Sequence, residues 1–266
     1  MNTNHVFGTP SVLFEGGAPK SFHTFQPCHT TEIQEINMGG FTYWSYYTLG
    51  GSNLAPPFEI HLARSNSLTS GWVDYGKVYD GRWPSVHFDG SNFHMFYREN
   101  SANHVTYRAT SADGITWADA ETIGNGANPF LWKNPNDNQW YLFSSDLGGN
   151  GYQIFYRTAA TITGLAASAK TYVIDQNVHV AAPSIFYRNG LYHLFVEEDA
   201  VAYWRIVSLT SSNIAGPYTR TDIVSVNDEA CPIILKGGAT LYYYSCPLVS
   251  SRATSYWNIA LRTITY

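Results

Sequence analysis

The chain of 266 residues is long enough to bury a large core, and one domain or two would fit that length. Aromatic residues make up 16% and charged residues 13%, which excludes a disordered chain and leaves too little charge for long solvated helices. A formal net charge of −5 without any basic run argues against a nucleic-acid or anionic-membrane partner.

The opening "MNTNHVFGTP" lacks the apolar core of a signal peptide, so a cytoplasmic location is expected unless a signal was removed. No apolar stretch approaches the ~20 residues of a membrane span. A short strand, "PSVLF" at 10–14, precedes the first of five similar units. That unit begins "TEIQEINMGGFTYWSYYT" at Thr31. The others begin "WPSVHFDGSNFHMFYREN" at Trp83, "NPFLWKNPNDNQWYLFSSD" at Asn128, "AAPSIFYRNGLYHLFVEED" at Ala181 and "CPIILKGGATLYYYSC" at Cys231.

Each unit is an apolar run, a polar or Gly-rich turn, and an aromatic run. Pro84, Pro129, Pro183 and Pro232 stand 45, 54 and 49 residues apart, and Ile33 lies near the Pro position of the first unit. Gly39-Gly40, Asp89-Gly90, Asn189-Gly190 and Gly237-Gly238 are tight-hairpin dipeptides, because positive φ is cheapest in Gly and tolerable in Asn or Asp. A third strand follows every hairpin ("FEIHLARS", "HVTYRATS", "YQIFYRTA", "YWRIVSLT", "YWNIALRT"), and most units add a fourth such as "VDYGKV".

Four antiparallel strands per unit predict a single all-β domain over residues 1–266, a five-bladed β-propeller. The fifth unit stops after its third strand, so residues 10–14 are expected to supply the missing outer strand and close the ring. A helical fold is excluded because Gly and Pro interrupt every window of helical length.

The blades, with "APSIF…NGLYHLF" and third strands running into "SLTSGW" or "NIAGPY", resemble those of the five-bladed glycoside hydrolases of families 43, 32, 68 and 130. "SADGITW" (111–117) resembles the Asp-box turn of sialidase-type propellers, a structural motif. The resemblance implies a carbohydrate-active enzyme with a carboxylate pair in the central funnel. Family 43 places an Asp before the first-strand Pro of its first blade, an Asp in the second and a Glu beside a Pro in the third. Here Glu32 lies closest to the first position, while Trp83 and Asn128 occupy the other two. "DEACP" (228–232) resembles the Glu-Cys-Pro signature of family 32 with an inserted Ala, in a different blade.

In a propeller, the start of each inner strand and the end of its partner meet at one axial mouth. The expected lining is Glu32 and Glu35, Trp83 with Arg98 and Glu99, Asn128 with Asp146, His179 with Glu197 and Glu198, and Glu229 with Cys231. Glu229 and Glu32, in neighbouring blades after closure, form the expected acid pair. Two carboxylates flanking a glycosidic bond serve as acid and base, or as nucleophile and acid/base. Trp83, Arg98, Asn128, Asp146, His179, Glu198 and Glu35 are the expected substrate contacts: Trp83 (and Tyr47) by stacking, Arg98 by bidentate pairing. Each has a structural counterpart, such as a capped strand end, a salt bridge or inter-blade packing.

Cys28, Cys231 and Cys246 are three, so a disulfide framework is not expected. A thiol cluster with His29 is weighed against simple packing, and packing is adopted. No metal or cofactor is expected. The partner expected is a saccharide or other small molecule. Two alternatives remain: a cyclase- or isomerase-like enzyme acting on an apolar substrate in the aromatic funnel, and a sugar-binding propeller without catalysis.

Overall fold

The computed structural model describes residues 6–7, 11–14, 26–30, 34–50, 57–99, 104–148, 151–174, 180–199, 204–223, 229–237, 240–247 and 259–265. Strands β1 (Val6–Phe7) and β2 (Ser11–Phe14) open the chain. The first sheet holds β3 (Gln26–Thr30) and β4 (Gln34–Met38), both paired along β5 (Phe41–Gly50), then β6 (Phe58–Ser65) and β7 (Val73–Asp80). The second runs β8 (Arg82–Phe88), β9 (Phe93–Arg98), β10 (Val105–Ser111) and β11 (Ala118–Asn125). The third has β12 (Ala127–Lys133), β13 (Trp140–Gly148), β14 (Gly151–Ala159) and β15 (Thr171–Ile174). The fourth has β16 (Val180–Arg188), β17 (Leu191–Asp199), β18 (Trp204–Ser211) and β19 (Thr219–Ile223). In the last, β20 (Glu229–Gly237), β21 (Thr240–Pro247) and β22 (Ile259–Thr265) are joined by β1 and β2, which both pair with β22.

All these pairings are antiparallel, and the architecture is an all-β propeller with four-stranded blades. Among the described residues it counts four blades, one fewer than the five repeats predict, although the strands form five sheets. Both departures from the four-strand pattern lie in the sheets at the chain ends. In the first sheet the inner strand is split into β3 and β4, and in the last the outer strand is split into β1 and β2.

Alternation drives the packing. A strand buried on both faces carries apolar side chains on each, and each sheet meets its neighbours face to face. Trp44, Tyr46, Ile60 and Leu62 pack on Val86, Phe93, Met95 and Tyr97 of the second sheet. Phe96 and Ile123 pack on Leu131, Trp140 and Leu142 of the third, whose Phe130, Phe143 and Ile154 share a core with Leu194, Val196 and Val207 of the fourth. The inner strands touch in order: β8 meets β12, β12 meets β16, and β16 meets β20, while β3 contacts both β20 and β8.

Two local devices repeat. The hairpin of β16 and β17 turns through Asn189 and Gly190 at φ 52° and 83°, the left-handed pair that a two-residue turn demands. The turn after β10 is the Asp-box stretch. Asp113 Oδ1 accepts the N–H groups of Ile115 and Thr116 at 2.8 and 2.7 Å, and Tyr46 of the first sheet donates to Gly114 O at 2.8 Å. The corresponding turns elsewhere keep an aromatic donor, Trp72 to Leu68 O and Tyr218 to Ile214 O. The Asp-box here ties strands and sheets together, as a structural motif does.

Candidate functional site

The inner strands do not pair evenly. Register slips by one residue between Arg82 and Ser85, Ala127 and Phe130, Ala181 and Ser184, and Ala230 and Ile233. Each slip is a β-bulge placed on a proline that has no N–H for the ladder. The residue before the proline is driven out of the helical region by the ring. That clash alone would leave extended backbone, yet Trp83, Asn128 and Ala182 take φ of 54°, 52° and 48°, a left-handed geometry held by the bulge. Non-glycine residues held there cost about 1–3 kcal/mol each and gather where a ligand site needs a fixed geometry. Three of them at the same end of consecutive inner strands mark that end as the candidate site.

The first sheet has its corresponding slip between Cys28 and Thr30, so His29 holds the position of Trp83, Asn128, Ala182 and Cys231. The proline alignment instead puts Glu32 there, with Ile33 near the proline position. Register differs because β3 and β4 are separate strands with a second slip before Gln34. Glu32 lies between them, outside the described residues, as does His179, just before β16. Glu229 opens β20 opposite Pro247, one pair beyond the bulge-bordering pair Ala230–Cys246. Cys246 therefore stands across from Ala230, with Cys231 beside it in the bulge.

Around the second bulge the chemistry is cationic and aromatic. The guanidinium carbons of Arg82 and Arg98 lie 4.6 and 4.8 Å from the Trp83 ring centroid, and Arg82 also covers Phe58 at 4.5 Å. Arg98 is buried, so its stack is shielded from water. The Trp83 backbone N–H donates to Thr48 Oγ1 of the preceding sheet at 2.8 Å. His104 nearby has its pKa lowered by burial, then by Arg98 and Arg82, which together outweigh Asp146. Trp83 is thus a ring already covered by guanidinium groups rather than a bare platform.

The third bulge is hydrogen-bonded. Ser145 Oγ donates within reach of Asn128 Oδ1 at 3.1 Å and Ala127 O at 3.2 Å, fixing the amide's orientation. Asp146, the next residue, faces the other way and takes the Lys170 ammonium and the Tyr172 hydroxyl, the latter at 3.0 Å. In the fourth sheet Glu198 is 1% exposed and holds Arg205 and Arg220 on its two oxygens. Glu35 is exposed and pairs with Tyr43, toward the Gly39–Gly40 turn and away from the bulge end. Tyr47 is fully buried and donates to Asp74 at 2.7 Å, so it packs rather than lines a surface.

The structure therefore brings Trp83, Arg98 and Asn128 to the bulges, and puts Asp146 and Glu198 into ion pairs beside them. Glu197, expected at the mouth but not among the expected substrate contacts, lies opposite Ala181 at the bulge of the fourth sheet. Strand alternation was the available signal, because neighbouring acids on a strand face opposite ways.

No protein-family model and no curated protein matches the chain. Solved structures do. A thermostable family-43 glycoside hydrolase is similar at TM-score 0.64 and 12% identity, over 91% of this chain and 88% of that one. An endo-arabinase from Bacteroides thetaiotaomicron matches at 0.65 and 13%, over 96% and 98%. A GH43_1 enzyme from Xanthomonas citri complexed with xylotriose matches at 0.67 and 10%, over 97% and 90%. At these identities the likeness is one of fold: the chain has the propeller fold of the family-43 glycoside hydrolases.

Proposed function

We propose that this chain is a glycosidase-like, carbohydrate-active protein that takes a saccharide at the bulge end of its inner strands. The observation that carries the reading is the set of left-handed residues Trp83, Asn128 and Ala182, each fixed before a proline at that end. The scaffold is a single five-bladed ring, closed where β2 and β1 complete the last blade. The register of Ser11 with Leu261 and Val12 with Ala260, and the packing of β20 against β3, support that closure.

Glu229 and Glu32 are the proposed acid pair, in adjoining blades. Arg98 and Trp83 form one wall, and Asn128 supplies an amide oriented by Ser145. His179, which precedes β16 in the chain, is proposed as a further contact. Asp146 and Glu198 act through the cations they hold, and Glu35 has the weakest claim of the set. Hydrolysis needs one carboxyl to protonate the leaving oxygen and a second carboxylate to attack or activate water.

A second reading has its own support. The bulge positions His29, Trp83, Asn128, Ala182 and Cys231 carry no carboxylate, which favours saccharide binding without turnover. Calorimetry with xylotriose and arabinotriose, followed by product analysis, separates the two. Binding with release of shorter sugars supports the glycosidase, binding without products supports the lectin-like form, and no binding rejects both.

A further inference from the structure

At the turn end of the first sheet, away from the bulges, three aromatic rings surround one cation. The Arg64 guanidinium carbon lies over the rings of Phe41 at 4.6 Å, Tyr75 at 4.6 Å and Trp44 at 5.2 Å. Strand pairing builds the cluster, since Arg64 on β6 stands opposite both Trp44 on β5 and Val73 on β7. Trp44 is buried in the core shared with the second sheet, whereas Tyr75 is 46% exposed and Val73 56%. Arg64 therefore sits at the rim where that core meets water.

The rings are neutral and hold the side chain without balancing its charge. Among the described residues, the Arg64 N–H groups form no hydrogen bond and no ion pair. Glu35 pairs with Tyr43, on the other side of the sheet from Trp44, because alternate residues face opposite ways. Asp113 of the adjoining Asp-box turn is taken by the Ser111 hydroxyl and the N–H groups of Ile115 and Thr116. A planar donor fork fixed by stacking is the preorganised half of a bidentate guanidinium–carboxylate pair. The matching carboxylate is the ligand's.

Two features bear on what carries it. Tyr75 and Val73 leave an apolar, partly aromatic surface beside the fork, a footing on which a sugar ring stacks. An extended peptide would instead dock along β7 as an added strand. Pairing of β7 with β6 slips twice, at Ile60/His61 and at Leu62/Ala63, and Gly76 has φ 108°. A bulged edge of this kind is a poor template for a further strand.

We propose that Arg64, Tyr75 and Phe41 form a second saccharide site, which takes a uronate with its ring on Tyr75 and its carboxylate on Arg64. The site is separate from the bulge end, so it stands or falls independently of the reading given above.

Calorimetry at low salt with trigalacturonate compares the wild type with Arg64→Gln, Arg64→Lys, Tyr75→Ala and Lys133→Gln. Lys133 is an exposed cation of the third sheet, so its loss matches the change in net charge. Arg64→Gln is expected to weaken binding by about tenfold or more, and Arg64→Lys and Tyr75→Ala by smaller factors. Lys133→Gln is expected to bind as the wild type does. Thermal unfolding shows which variants fold. If Arg64→Gln does not, the other two site variants decide, and wild-type affinity in both overturns the site. Wild-type affinity in a folded Arg64→Gln, equal weakening in Lys133→Gln, or no binding of trigalacturonate by the wild type also overturns it. Excess xylotriose is expected to leave trigalacturonate bound, and displacement overturns a separate site. Hexaglutamate is the second probe: binding that depends on Arg64, where trigalacturonate does not bind, assigns the surface to an acidic peptide and overturns the saccharide.

Discussion

The guanidinium carbon of Arg98 lies 4.8 Å from the centre of the Trp83 ring, so a buried cation is laid over a residue held in the left-handed region. Desolvated cation–π pairs contribute about 2 kcal/mol, and the buried Arg stem adds packing. Arg98→Lys keeps the charge but loses the planar stack. We expect urea unfolding to show most of the Arg98→Ala loss already in Arg98→Lys. Full stability in the lysine variant would mean that charge alone matters at this position.

Glu198 joins two guanidinium groups in a nearly dry setting. Removing one member of a buried ion pair costs about 3–5 kcal/mol, and partial exposure of Arg205 and Arg220 brings the expectation for Glu198→Gln to roughly 2–3 kcal/mol. At about 2–4 °C per kcal/mol for a domain near this size, the melting temperature falls by several degrees. A melting curve superimposable on wild type contradicts the counter-ion role.

Acid should loosen the Asp-box turn. The N–H groups of Thr116 and Ile115 aimed at Asp113 hold its pKa at about 2, below the ordinary 3.8. A depressed carboxylate pKa gives stability that is present above the unfolded value and lost as pH falls from about 4 to about 2. Asp113→Ala should therefore lower the melting temperature at pH 7 and make little difference at pH 2. An equal deficit at both pH values would assign the effect to packing.

His87 adds a second acid-sensitive window at higher pH. Burial, helped by His94, lowers its pKa to about 4, so the folded state keeps it neutral while the unfolded chain protonates near 6.5. The unfolded state binds more protons in that window, and stability falls as pH drops from about 6.5 to about 4. His87→Gln should flatten the stability profile across this range, measured by denaturant midpoints at half-unit steps. An unaltered slope would exclude His87 as the group responsible.

Ring closure is tested by truncation. Deleting residues 1–15 removes β1 and β2, which pair with β22, and leaves that strand as an open edge. A marked fall in melting temperature and a rise in aggregation are expected. An unchanged curve would count against closure of a five-bladed ring.

Much of the fold was legible because its signals are local. Proline near the start of four inner strands, two-residue turns such as Asn189-Gly190, and aromatic runs specify hairpins without any distant information. The pairing of residues 10–14 with the last strand followed from a unit that lacks its fourth strand. Register in the first sheet was not legible, since Thr30 replaces the proline and the split inner strand hides the bulge at His29. The site was legible only in outline. Glu197 and Glu198 are adjacent and chemically identical in sequence, and only strand alternation and the distant Arg220 set them apart.

Saccharide binding is proposed at the bulge end of the inner strands. A crystal of the protein soaked in xylotriose or arabinotriose tests it most directly. Sugar density is expected within hydrogen-bond reach of Asn128, with the Arg98–Trp83 stack as a wall. Density confined to the opposite end, near the Asp89-Gly90 and Asn189-Gly190 turns, would contradict it.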